Sequence, residues 1–476
     1  MASLSREEND LFHTCFKQFE QKMVDDSAPA IVINAFKKHL AQFIEGNQAC
    51  LAEDDIAPVF SHELPSLHTM DRYKDDGIAA LPNTAIIKLN GGLGTSMGLD
   101  GPKSFLPIKE GRTFLDLILS QVELMRTEFG AQLPLLFMNS YWTEEQTNER
   151  LKNVINGDPN IPLSFQQHRY PRIRVDNMSP LQMEGAPEYD WNPPGHGDIY
   201  TSLLTSGLMR RLLLLGYRYV FVSNSDNLGA IFNPALLGYM VRKKIPFLME
   251  VCERTSQDRK GGHLVKRLDG TLGLREVSQC APKDMDAFQD INKYSFFNTN
   301  SIWLDLKAVE EAFLKHREFS LQLIVNPKRA IPGDLTSPEI VQLETAMGSA
   351  ISLFPGAGAV VVPRSRFSPV KTISDLMLTM SDCFHVTDQD SIVCKADWQR
   401  LPNIRLDPEV YTTIGDFFSR FPDGVPSLAN CRELSILGDV CLHRDVELSG
   451  TVKIVNKSKQ QVTIPPGRAL SGELAL

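Results

Sequence analysis

The feature that most constrains this chain is a short apolar run, Ala85–Leu89, that passes directly into a glycine-rich segment. Five glycines fall within eleven residues, at 91, 92, 94, 98 and 101, and the segment closes on Pro102-Lys103. A buried strand followed at once by backbone without Cβ atoms predicts a sheet whose strand end can approach a ligand closely. Successive amides there form an anion-binding nest. Lys103 adds a positive charge suited to phosphate. A Walker A loop is excluded, because Pro102 separates Gly101 from Lys103. A dinucleotide fingerprint is nearer, since Gly92, Gly94 and Gly98 almost match it. The next strand, however, ends in Met138-Asn139 rather than in the acidic residue that holds a ribose.

The surrounding pattern alternates strands and helices. Thr113 with Asp116 reads as a capping box opening a helix through about Phe129, and Leu133–Met138 reads as the next buried strand. Thr143 with Gln146 caps another helix. Tyr219–Val222 and Pro246–Val251 read as strands, with an apolar helix from Pro234 to Lys243 between them. Such β-α-β alternation predicts an α/β fold with a largely parallel sheet and ligands at the carboxyl ends of its strands. The first fifty residues carry helical spacing, with Gly46 as a stop, and residues 50–80 read as a surface linker. Near the other end Val440, Val446 and Val452 recur every six residues, as do Leu442, Leu448 and Ile454. That hexad predicts a β-helical module, against the alternative of ordinary hairpins. The expected organisation is a helical segment at 1–50, a catalytic domain at 51–385 and a β-helix-like domain at 386–476.

Charge narrows the partners. Lys and Arg total 49 against 58 Asp and Glu, a net charge of −9. Without a basic block, nucleic acid is not an expected partner, and anionic substrates need a local site. Eight cysteines at 15, 50, 252, 280, 383, 394, 431 and 441 form no Cys-x-x-Cys pair and read as reduced, mostly buried residues. No apolar stretch is long enough to span a bilayer and no signal region opens the chain. The expectation is a cytoplasmic protein without a membrane partner.

Lys88-Leu-Asn-Gly-Gly-Leu-Gly-Thr-Ser-Met-Gly98 with Gly101-Pro-Lys-Ser104 resembles the signature of the sugar nucleotidyltransferases. It resembles most the eukaryotic-type UTP–glucose-1-phosphate uridylyltransferases, or UDP-glucose pyrophosphorylases. Thr95-Ser96-Met97-Gly98 stands where the related N-acetylhexosamine enzymes usually carry Thr-Arg-Leu-Gly. The resemblance continues through Phe165–Ile173, Pro193–Tyr200, Val220–Leu228, Gly261-Gly262-His263, Leu274–Val277, Phe297–Asn300 and Pro363–Thr372. Position 301 departs from it, with Ser where a further Asn is usual. Taken alone, Arg169, Arg172 and Arg174 read as a solvated surface, and Lys371 as one more surface lysine.

The resemblance implies a Rossmann-like, GT-A-like nucleotidyltransferase domain that joins UTP and glucose 1-phosphate into UDP-glucose and pyrophosphate. It implies Leu89, Asn90, Gly91, Gly92, Met138, Gln167, Gly195 and Asn224 on UTP and its uridine. It puts His196, Glu276 and Asn298 on glucose 1-phosphate, and Lys103 and Lys371 as the catalytic phosphate lysines. Asp226 ends a buried strand, where a carboxylate suits Mg²⁺, and it matches the metal-associated aspartate of the family. His196 is not expected to act as a base, since a sugar phosphate is already an anion. A tail shorter than that of the animal and fungal octamers leads to the expectation of a monomer. The alternatives are a UDP-sugar pyrophosphorylase of wider sugar range, a dinucleotide-dependent oxidoreductase and a non-catalytic sugar-nucleotide sensor.

Overall fold

The computed structural model describes residues 6–46, 51–94, 97–255, 258–316, 319, 321–388, 390, 392–394 and 401–476. Cys50, Thr95 and Ser96 lie outside them. The chain divides into two compact units, each assembled from separate stretches. One comprises 1–91, 132–223 and 232–362; the other comprises 92–131, 224–231 and 363–476. A linear reading into 1–50, 51–385 and 386–476 cannot see such interleaving.

The first unit holds a ten-stranded sheet. Its strands are β1 (Ile56–Pro58), β2 (Thr84–Asn90), β3 (Leu135–Asn139), β4 (Ser164–Gln166), β5 (Tyr219–Asn224), β6 (Phe247–Glu253), β7 (His263–Arg267), β8 (Leu272–Arg275), β9 (Phe296–Asp305) and β10 (Gly358–Val361). The main path runs β1-β7-β9-β5-β2-β3-β4. Strands β2, β3 and β4 are parallel, as expected of runs buried on both faces. The sheet is not largely parallel throughout, however. Strand β9 runs antiparallel to β5, β6 and β7, and β7 and β8 are paired antiparallel. The sheet is therefore mixed. Lys88, the one charged residue in β2, is buried and donates to Ser223 Oγ at 2.8 Å.

The segment at 50–80 is no loose linker. Beyond several short helical turns, it contributes β1, paired with β7, and a helix at Lys74–Ala80. The two N-terminal helices, Arg6–Asp25 and Ala30–Ile44, share one apolar core with Tyr170, Trp191, Leu323, Val341 and Leu343. The nearby arginines are not simply solvated. Arg172 is buried and donates to the Ala330 carbonyl at 2.8 Å, and Arg169 is paired with Asp26.

In the second unit the helix Phe114–Phe129 begins where the capping box predicts. Thr113 Oγ1 accepts the Asp116 N–H, Asp116 accepts the Thr113 N–H, and Gly130 ends the helix at φ 59°. Towards the C-terminus, strands Asn403–Leu406, Cys431–Leu437, Glu447–Val455 and Ala469–Ala475 lie parallel in one sheet, and Val440–Leu442 lies parallel to Val462–Ile464. Ordinary hairpins would pair antiparallel. All six residues of the hexad are buried. Among the described residues all the cysteines are free thiols, and no helix is long and apolar enough to cross a membrane.

Candidate functional site

In the first unit, β2 and β3 end side by side at Asn90 and Asn139. Asn90 Nδ2 donates to Asn139 Oδ1 at 2.8 Å and to Thr147 Oγ1 at 3.0 Å. Thr143 does not cap its helix with its side chain. Its hydroxyl instead donates to the Asn90 carbonyl at 2.8 Å and accepts the Ser140 N–H at 3.0 Å. Ser140 Oγ in turn donates to the Gly91 carbonyl at 2.8 Å. Gln167 is buried, and its backbone N–H donates to the Asn139 carbonyl at 2.8 Å. Its amide Nε2 lies 2.3 Å from where a Cβ on Gly91 would stand. Leu89, Asn90, Gly91, Met138 and Gln167 thus form one cluster, and glycine at 91 is what admits the glutamine amide.

A second cluster in this unit gathers the three residues expected at the sugar. Gly195 has φ 78°, and a Cβ there would stand 2.4 Å from the Thr345 carbonyl oxygen. The Gly195-His196-Gly197 turn is therefore laid directly on the strand Glu339–Thr345. His196 Nδ1 accepts the Met347 N–H at 3.0 Å, which leaves the proton of the neutral ring on Nε2. Desolvation by burial lowers its pKa from 6.5 to about 4. His196 is thus a neutral donor at physiological pH. Glu276 sits over Gly262, whose missing Cβ would meet its carboxylate oxygens at 2.4 Å. Asn298 lies at a bulge between β6 and β9 and is followed by Asn300 at φ 56°. Its amide packs against Gly348, next to the residue that holds His196.

Sequence reasoning missed the part played by Met347-Gly348, for which the chain carries no local signal. It also missed Asp198, visible in Gly-His-Gly-Asp. That buried carboxylate accepts the His168 backbone N–H at 2.7 Å and the Ser202 hydroxyl at 2.7 Å.

In the second unit the glycine-rich loop is folded on itself. Gly94 N–H donates to the Gly101 carbonyl, Leu99 N–H to Gly94, and Lys103 N–H to Gly92, at 3.0–3.1 Å. Leu99 packs against Gly94, and Thr413 against Gly98 at φ 69°. Gly94 therefore spends its amide within the loop, and both Gly94 and Gly98 make room for a neighbouring side chain. Gly92 faces open space.

Lys103 Nζ lies 2.6 Å from Asp226 Oδ2, with both side chains 17% exposed. Asn224 is the last residue of its strand, and its carbonyl accepts the Asn227 N–H at 3.3 Å. Asn227 grips the segment that carries Lys371. Its Nδ2 donates to the Arg366 carbonyl at 3.1 Å, and its Oδ1 accepts the Ser368 N–H at 3.0 Å. Lys371 is exposed, and its N–H donates to Asp375 at 2.9 Å, just ahead of the helix Ile373–Met380. Its ammonium is not brought into the Lys103–Asp226 pair.

The described geometry thus comprises a polar cluster at the ends of β2 and β3, a second cluster around a neutral histidine, and a lysine–carboxylate pair on the glycine-rich loop. A family model described as UTP--glucose-1-phosphate uridylyltransferase matches residues 33–449. The chain belongs to this family. A curated UTP--glucose-1-phosphate uridylyltransferase from Astragalus penduliflorus is 40% identical over 395 residues, covering 83% of this chain and 82% of the relative. Among solved structures, the UDP-glucose phosphorylase of Trypanosoma brucei shares 39% identity at a TM-score of 0.88, covering 97% of this chain and all of that one. A mutant UDP-glucose pyrophosphorylase from Leishmania major, in complex with UDP-glucose, shares 38% identity at a TM-score of 0.88, with both chains covered in full. The uridylyltransferase match spans every residue assigned above, from Leu89 to Lys371.

Proposed function

We propose that this chain transfers UMP from UTP to glucose 1-phosphate, releasing pyrophosphate and giving UDP-glucose in a reversible reaction. The observation that carries this reading is the Lys103–Asp226 pair, an ammonium and a carboxylate 2.6 Å apart, one on the glycine-rich segment and the other just after the strand Tyr219–Asn224. A phosphate oxygen of glucose 1-phosphate attacks the α-phosphorus of UTP in line. The bond from that phosphorus to the bridging oxygen breaks, and pyrophosphate takes the electron pair. Neither partner needs a proton removed, so the residues position the phosphates and neutralise charge. Gln167 reads the uracil with support from Leu89, Asn90, Gly91 and Met138, while Gly92, Gly195 and Asn224 line the nucleotide. His196 donates to the sugar phosphate, and Glu276 and Asn298 take the hexose hydroxyls. Lys103 stabilises the leaving pyrophosphate, and Lys371 draws the sugar phosphate towards the α-phosphate.

Asp226 would hold Mg²⁺, an ion that accepts one or two carboxylates and completes its shell with phosphates and water. Among the described residues no group of three or more His, Cys, Asp or Glu gathers that could cage a metal. A lone strand-end carboxylate therefore fits a cation shared with the substrate. When bound, the ion supplies charge neutralisation at the phosphates.

We read the central sheet as a Rossmann-like, GT-A-like core, the parallel C-terminal strands as a short β-helix, and the protein as a cytoplasmic monomer. Pyrophosphate release by the purified chain, given UTP, Mg²⁺ and glucose 1-phosphate, tests the reaction. The expected result is release that stops with EDTA or without the sugar phosphate. Silence from folded protein overturns the reading. Galactose 1-phosphate and N-acetylglucosamine 1-phosphate in the same assay separate a strict enzyme from one of wider sugar range.

A further inference from the structure

Two of the residues proposed at the sugar, Glu276 and Asn298, share one rung of the sheet. His263 is paired with Arg275 and with Phe297, so the next rung outward holds Gly262, Glu276 and Asn298. Behind it, the Arg275 side chain is fully buried. Its guanidinium lies 2.6 Å from Glu53 and 3.5 Å from Asp284. Glu53 also accepts the Tyr294 hydroxyl at 2.7 Å and meets Lys293 Nζ at 2.6 Å. Tyr294 stacks on His263 with ring centroids 4.1 Å apart. A single carboxylate thus binds one member of the supporting rung and braces the ring stacked on another.

The segment carrying Glu53 grips both supports of Glu276. On one side Ile56–Pro58 pair with Val265–Arg267. On the other, Leu51 N–H donates to the Gln279 carbonyl and Glu53 N–H to Asp284, each at 3.2 Å. Gln279 Oε1 in turn accepts the Glu276 N–H at 2.6 Å.

We propose that Glu53, acting through Arg275, is a positioning residue for hexose recognition, holding the Glu276 carboxylate where it meets the sugar hydroxyls. This rests on the uridylyltransferase reading above. Without the Glu53 charge the buried guanidinium keeps only the more distant Asp284 carboxylate, and it shifts towards it. Arg275 is covalently adjacent to Glu276, so that shift moves the carboxylate. A carboxylate fixed in this way separates epimers, because a hydroxyl of the wrong configuration leaves it unpaired.

The test is E53Q in the full chain, measured for kcat and for the KM of each substrate. E53Q is expected to raise the KM for glucose 1-phosphate about tenfold while the KM for UTP stays within about twofold. The preference for glucose 1-phosphate over galactose 1-phosphate is expected to fall by about the same factor. Lys293→Met removes the outer partner of Glu53 and is expected to leave both constants unchanged. If E53Q does not fold, Glu53→Asp keeps the charge but shortens its reach, and an intermediate rise is expected. A folded variant with a lower melting temperature and wild-type KM and epimer preference gives Glu53 a purely structural role and overturns the proposal. A wild type that releases no pyrophosphate takes both readings down, a result distinct from an active wild type with an indifferent E53Q.

Discussion

Replacing Gly91 with alanine separates recognition from folding, because the obstacle it meets is a side-chain tip. The new Cβ would stand 2.3 Å from Gln167 Nε2 and 3.3 Å from its Cδ. Ordinary contact lies at about 3.5 Å, so the amide has to retreat by about 1 Å. The backbone at 91 needs no rearrangement, since its φ is not in the left-handed region. A glutamine has three torsions with which to yield, so the fold loses little. The base loses its reader. A buried hydrogen-bond partner left unpaired costs about 1–3 kcal/mol, which is about fivefold to 150-fold in affinity. Steady-state kinetics against UTP should show KM raised within that range, and differential scanning fluorimetry should show a nearly unchanged melting temperature. Gly195→Ala is the contrast. There the Cβ meets the Thr345 carbonyl oxygen at 2.4 Å and the Thr345 nitrogen at 2.9 Å, backbone against backbone, at φ 78°. That variant should lose melting temperature before any kinetic constant can be compared. A folded Gly91→Ala enzyme with the wild-type KM for UTP would remove Gln167 from base recognition.

Other perturbations follow from the same geometry. Lys103→Ala and Lys371→Ala should each lower kcat by about 10²–10³-fold, with Lys371→Arg recovering part of the loss; a Lys371→Ala enzyme of near-normal turnover would exclude that residue. Asp226→Asn frees Lys103 from a carboxylate 2.6 Å away, so calorimetry in EDTA should show UTP binding more tightly while turnover collapses. The His263 ring is fully buried, and desolvation, with Arg254 and Arg275 nearby, lowers its pKa from 6.5 to about 3. Below pH 6.5 the unfolded chain therefore takes up a proton that the folded chain refuses, and stability falls down to about pH 3. At pH 5 this amounts to about 2 kcal/mol, which His263→Phe should restore; equal pH dependence of melting in both proteins would refute it. Gel filtration at micromolar concentration should return a monomer, and elution at octamer size would refute that expectation.

What could be read in the sequence depended on whether the cause was local. The capping box at Thr113 and Asp116, the helix Pro234–Lys243 and the buried hexad from Val440 to Ile454 each express one period or one cap, and each stands where its residues put it. Thr143 shows the limit of that logic. Its position before a helix is a valid capping signal, but the carbonyl of Asn90, which no local pattern reveals, takes its hydroxyl. The segment 50–80 reads as linker because the partners of Glu53 and Ile56 lie more than 200 residues away. Sheet pairing at that distance leaves no periodic trace in either segment.

The glycine-rich loop shows how composition can mark a region without giving the use of each glycine in it. The five glycines predict an anion-binding nest of successive amides, yet the loop turns the amides of Gly94, Met97, Leu99 and Lys103 onto its own carbonyls and fills the space at Gly94 and Gly98 with Leu99 and Thr413. A loop that satisfies its own donors has fewer to offer an anion. In the proposed reading, full charges then carry more of the triphosphate's binding than backbone dipoles do, and Lys103 is the charge the loop would deliver. That ammonium lies 2.6 Å from the Asp226 carboxylate. Folding the loop tightly and parking its lysine on a carboxylate are two parts of one arrangement. The hydrogen bond from the Lys103 N–H to the Gly92 carbonyl ties the lysine to the loop, and the Asp226 carboxylate satisfies its ammonium.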